Sequence, residues 1–112
     1  MVLFGQSNSL IVLKEKEKVI AYKRFEVIEE HCFADDVDTW SQYHPRIREV
    51  VEGVIETLSR MPKYGELLLE RENDFVLQTN PVGSIPSFWI LYHVDFTNEK
   101  VYLLSIHPVL KI

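Results

Sequence analysis

Apolar residues recur along this chain with two different periods, and the change of period divides it into elements. From Phe33 the spacing is helical: Phe33, Val37, Trp40 and Tyr43 fall at three- and four-residue steps. Asp35, Asp36 and Asp38 sit where the N-terminus of such a helix favours negative charge. Pro45 suits the first turn of a second helix. Ile47, Val50, Val51, Val54, Ile55, Leu58 and Met61 form one apolar stripe that ends at Pro62.

On either side of this helical pair the pattern is that of strands. Ser9 to Leu13 and Val19 to Ile28 read as two strands around the KEKEK run at 14–18, because Ile20, Tyr22, Phe25, Val27 and Ile28 are β-branched or aromatic. A helix through the Lys and Glu residues is the alternative. After a turn at Tyr64-Gly65 and a short apolar run from Leu67 to Leu69, Asp74 to Thr79 reads as a strand. Asn80 to Pro86, with two prolines and a glycine, must be an irregular connection. Ser87 to Phe96 and Lys100 to His107 then form a hairpin through Thr97-Asn98-Glu99.

A tight turn centred on Asn98-Glu99 predicts Phe96 opposite Val101, His93 opposite Leu104 and Ile90 opposite His107. One face would carry Phe88, Ile90, Tyr92, Val94 and Phe96 with Val101, Leu103, Ser105 and His107. The other would carry Trp89, Leu91, His93 and Asp95 with Tyr102, Leu104 and Ile106. Both faces are largely apolar, and two helices of these lengths cover only one side of a sheet. Either the N-terminal segment folds over the second face, or Trp89, Leu91, Tyr102 and Leu104 meet a partner chain or a second copy of this one.

The predicted fold class is therefore α+β: a two-helix hairpin packed on a small antiparallel sheet. The 112 residues make one domain from end to end, with 1–18 as an additional N-terminal strand or arm. Apolar residues are 46% of the chain and charged residues 26%, the balance of a globular domain that folds by itself. A single cysteine, no apolar run of about 18 residues and a start, MVLFGQSNSL, with no basic residue ahead of its apolar stretch point to the cytoplasm, with no membrane contact. The net charge of -5 repels phosphate. After Arg71 the only basic side chains are Lys100 and Lys111, so any RNA-binding surface on the sheet must be small.

Candidate chemistry is sparse. Four histidines, His31, His44, His93 and His107, show neither H-x-x-x-H spacing nor a C-x-x-C companion, so no metal is expected. Cys32, beside His31 in an extended segment, is expected to be a buried, inert thiol. No G-x-S-x-G, Walker loop or G-x-G-x-x-G occurs, and no cofactor is expected. Arg46, Arg48, Glu49, Glu52, Glu56 and Arg60 read first as the solvated face of the second helix. The hairpin aromatics Trp89, Tyr92, Phe96 and Tyr102 lack the basic groove of a base-stacking platform, and core packing is their expected role.

Three passages carry a resemblance. ETLSRMPKYGELLL, FWILYHVD and EKVYLLSIHPV, in the order strand, helical hairpin, three strands, resemble the RelE/ParE toxin superfamily of toxin–antitoxin systems over roughly Val19 to Val109. The resemblance implies an antitoxin partner and ribosome-dependent cleavage of messenger RNA, chemistry that needs donors for a charged phosphorane-like state and a proton-moving group. It implies Arg71, His93, His107 and Tyr92 as the catalytic set and Lys63, Arg46 and Arg48 as substrate-binding residues. It also implies arginines at positions that here hold Gln78 and Trp89. A non-catalytic interaction module with a toxin-like fold, and a gyrase-directed toxin of the ParE kind, stay open beside it.

Overall fold

The computed structural model describes residues 24–68 and 71–109. Within them the chain runs β1 (Glu26–Glu29), α1 (His31–Ser41), α2 (Ile47–Arg60), β2 (Glu66–Leu67), β3 (Asp74–Gln78), β4 (Phe88–Asp95) and β5 (Lys100–Pro108). The strands form one sheet in the order β1-β5-β4-β3-β2. The architecture is α+β, as the alternation predicts. One ladder departs from the antiparallel expectation: β1 lies parallel to β5, Glu26 beside Lys100 and Glu29 beside Leu103. A parallel pair needs a long crossover, and the two helices together supply it. The expected strand at Ser9 to Leu13 lies outside the described residues.

Helix α2 forms where the stripe predicts. Ile47, Val51, Val54 and Leu58 are buried, Val50 and Ile55 half-buried, and Met61 just past the end is exposed. In α1, Phe33 and Val37 are buried. Both helices pack on one face of the sheet, against Phe75, Leu77, Phe88, Ile90, Tyr92, Val94, Val101, Leu103 and Ile106. Each such side chain contributes about 1.5–3 kcal/mol by leaving water.

Three local expectations are corrected. Helix α1 starts two residues early, at His31, so Asp35, Asp36 and Asp38 lie beyond its first turn, which holds no acidic residue. Asp36 instead serves the sheet. Beyond the end of β1 the outer edge of β5 has no strand partner among the described residues, and α1 closes it: the Asp36 carboxylate accepts the Ile106 N–H at 3.3 Å and the Trp40 indole N–H donates to the Ile106 carbonyl at 3.3 Å. Second, Cys32 is exposed rather than buried, because the helical start places Phe33, one residue on, toward the core.

Third, the hairpin register differs. Phe96 to Glu99 make a four-residue connection, with Asp95 opposite Lys100, Val94 opposite Val101 and His93 opposite Tyr102. The Asp95 carboxylate draws the turn tight by accepting the Asn98 backbone N–H at 3.1 Å and its side-chain amide at 2.8 Å, and Glu99 closes it at φ 58°. The shift is two residues, an even number, so near the turn each side chain keeps its expected face. Farther on it does not. Tyr92 pairs with Leu103 but Leu91 with Ser105, which leaves Leu104 as the extra residue of a β-bulge. Past the bulge the alternation inverts. Ile106 enters the core opposite Ile90, while Ser105 and His107 move to the outer face opposite Leu91 and Trp89.

Candidate functional site

The sheet face turned away from the helices carries the candidate site. Across its strands lie Ile28 on β1; Lys100, Tyr102, Leu104, Ser105 and His107 on β5; Trp89, Leu91 and His93 on β4; and Gln78, Val76 and Asp74 on β3. Trp89 is 42% exposed and Leu91, Tyr102 and Leu104 are half-buried. These four are the residues expected to meet a partner. Among the described residues, no helix covers them.

At one end of this face three polar side chains converge. β3 and β4 are antiparallel with Asp74 opposite His93. The His93 Nδ1 lies 2.7 Å from Asp74 Oδ1, and Arg71, in the turn before β3, donates to Asp74 Oδ2 at 3.1 Å. The Asp74 side chain is 15% exposed and that of His93 40%. The His93 bond holds the Asp74 carboxyl below its ordinary range, with help from Arg71 and against the opposing push of partial burial. An ionised carboxylate only accepts, so Nδ1 carries the proton and Nε2 is left as the functional atom of the ring. A carboxylate that fixes the tautomer of a half-exposed imidazole is the arrangement used in general acid–base chemistry. Beside it opens a pocket of about 290 Å³ lined by Glu30, Asp74, His93, Tyr102 and Leu104.

The other expected site residues are dispersed. Tyr92 points into the core, fully buried. Its hydroxyl donates to the Pro62 carbonyl at 2.9 Å and accepts the Gly65 N–H at 2.8 Å, and burial raises its pKa. It pins the α2–β2 connection to the sheet. A Cβ on Gly65 would lie 2.6 Å from the Val76 carbonyl oxygen and 2.9 Å from the Tyr92 hydroxyl, so the close approach requires glycine there. His107 shares the outer face with His93, contrary to the uninterrupted register, but it stands at the far end of β5 opposite Trp89, with Nε2 4.0 Å from Asp36.

The basic candidates are engaged elsewhere. Arg46 pairs with Glu49 at 2.8 Å, Arg48 with Glu29 at 2.6 Å, and Lys63 lies over the Phe96 ring at 5.3 Å from its centre. Gln78 and Trp89 sit directly opposite one another across β3 and β4, so a neutral amide and an indole occupy the patch where the resemblance calls for arginines. Among the described residues, no group of His, Cys, Asp and Glu is arranged to hold a metal ion. No helix there is long and apolar enough to cross a membrane.

Sequence reasoning missed Asp74. Its partnership with His93 depends on the β3–β4 register, and the irregular 80–86 connection hides that register. Within the loop, Val82 and Ile85 bridge each other, Gly83 takes φ +59° and Ile85 drops into the core. None of this is readable as a turn length.

The architecture has solved counterparts. The toxin–antitoxin complex RelBE2 from Mycobacterium tuberculosis matches at a TM-score of 0.62 with 23% identity, covering 80% of this chain and 95% of that one. The chain has a RelE-like fold. The intact RelBE toxin–antitoxin complex of E. coli matches at 0.57 with 11% identity, covering 78% and 99%. The E. coli toxin RelE in the free state, as an arginine-to-alanine double mutant, matches at 0.56 with 11% identity, covering 76% and 83%. No protein-family model and no curated protein sequence matches the chain. On this RelE-like scaffold, the Asp74–His93–Arg71 cluster and the apolar face beside it are the features a functional reading has to explain.

Proposed function

We propose that this RelE-like chain is a toxin-type protein that acts in complex with an antitoxin-type partner, which docks on the outer sheet face around Trp89, Leu91, Tyr102 and Leu104. The observation that carries the reading is that face: neither described helix covers it, and it presents a tryptophan 42% exposed with Leu91, Tyr102 and Leu104 half-buried. Surfaces of this kind on small proteins mark interaction sites. Two of the similar structures are toxin–antitoxin complexes. Co-purification of the full chain with the protein encoded beside it tests the proposal. A stable complex in which the Trp89 and Tyr102 amides become protected from hydrogen exchange is expected. A chain that stays monomeric and unprotected beside that protein overturns it.

A second reading, messenger-RNA cleavage on the ribosome, has one specific observation in its favour. His93, held by Asp74 with Arg71 alongside, supplies a proton-moving ring next to a guanidinium that is 64% exposed. The acidic balance, and Gln78 and Trp89 in place of arginines, weigh against it. In a translating extract this reading requires message cleavage that His93→Ala abolishes. Cleavage that survives the substitution rejects His93 as its agent.

A further inference from the structure

The pocket beside His93 indicates the chemistry of the partner. Two of its five lining residues, Glu30 and Asp74, are acidic. Glu30 and Tyr102 line the same 290 Å³ space as the paired Asp74 and His93. The backbone of Glu30 is in use, its N–H donating to the Leu103 carbonyl at 3.0 Å and its carbonyl accepting the Ala34 N–H at 3.0 Å. Among the described residues, no basic side chain pairs with its carboxylate. The cations on this face are already matched, Arg71 by Asp74 at 3.1 Å and Lys100 by Glu26 at 2.7 Å. The Tyr102 ring, 6.4 Å from that of His93, and Leu104 supply an aromatic and an apolar wall.

A largely apolar pocket bordered by two acidic residues and a tyrosine, on a chain of net charge -5, fits a side chain that is cationic and carried on an apolar stem. The molecule already makes one such contact within itself, Lys63 over Phe96. We infer that the partner anchors an arginine in the Glu30–His93–Tyr102 pocket, with apolar neighbours on either side of that arginine covering Leu91 and Leu104. The inference rests on the partner-docking reading and adds the sign of the charge. An acidic anchor would meet Glu30 and Asp74, while Arg71 and Lys100, the described cations on this face, are already paired.

The test titrates the full-length chain, followed by NMR, with two synthetic peptides that differ at one position, acetyl-Thr-Leu-Arg-Leu-Thr-amide and the same peptide with Glu in place of Arg. The expected result is that the arginine peptide moves the resonances of Glu30, His93, Tyr102 and Leu104 and binds more tightly than the glutamate peptide. Glu30→Gln, whose backbone contacts are unaltered, should weaken the arginine peptide about threefold to fivefold, the range of a partly exposed ion pair of up to about 1 kcal/mol. Equal binding of the two peptides, indifference to Glu30→Gln, or shifts confined to other surfaces each overturn the basic anchor. The docking reading is judged apart from this, by hydrogen-exchange protection of Trp89 in the co-purified complex. That protection can persist when the anchor proposal fails.

Discussion

Single side chains here do work that their sequence neighbours do not announce. Asp74 is the sharpest case, because it accepts from both His93 and Arg71 while only 15% exposed. Its folded pKa lies below the ordinary value of 3.8, so its contribution to stability is fully present above that value and is lost as pH falls through the folded one. Asp74→Asn should cost about 1–3 kcal/mol at neutral pH, and the gap to the native chain should narrow as pH drops below the ordinary value, as urea titrations at several pH values will show. Tyr92→Phe tests a different bond. It leaves the Gly65 N–H and the Pro62 carbonyl without their partner, and should cost about 1–3 kcal/mol in the same assay. Tyr92 shows how far residue type misleads: a tyrosine on the hairpin matched a catalytic expectation, and its phenol is buried in a structural latch.

Among the elements, β5 carries the main lesson. Its residues alternate cleanly from Lys100 to Leu103, and an unbroken alternation puts Ser105 in the core and Ile106 outside. The bulge at Leu104 reverses both. Ile106→Ala should therefore cost about 2–5 kcal/mol, the range for truncating a buried Ile, whereas Ser105→Ala should stay within about 0.5 kcal/mol. Thermal unfolding of the two variants side by side decides between the bulged and the regular ladder. Helix α1 belongs to the same argument. Trp40 and Asp36 answer the Ile106 backbone, so this helix both packs on the sheet and closes an edge that would otherwise recruit another strand.

For the molecule as a whole, the division of faces matters most. Among the described residues both helices lie on one side of the sheet, which leaves Trp89 and Tyr102 on the other. Trp89→Asp and Leu91→Asp introduce charge on the face that the described helices do not cover. Each should leave the circular dichroism spectrum intact and reduce partner capture at least about tenfold, a loss typical of an interface hot spot. A variant that unfolds instead would place these residues in a core the described residues do not contain. The exposed Cys32 offers a check on α1 as well: in the native protein a maleimide should label it without denaturant.

The sequence by itself determined what depends on local periodicity: the α2 stripe from Ile47 to Leu58, the β4–β5 hairpin, and the existence of a second apolar face. Each follows from side chains a few residues apart, whose directions the backbone period sets. Only the tertiary structure decided which strands adjoin, where β5 slips at Leu104, and that Asp74 meets His93. Those outcomes turn on a turn geometry set by the Asp95 carboxylate, a crossover long enough to lay β1 parallel to β5, and an irregular 80–86 connection whose path follows from burying Ile85. They are contacts between residues distant in the chain, where a shift of one position moves a histidine from the core side to the open face.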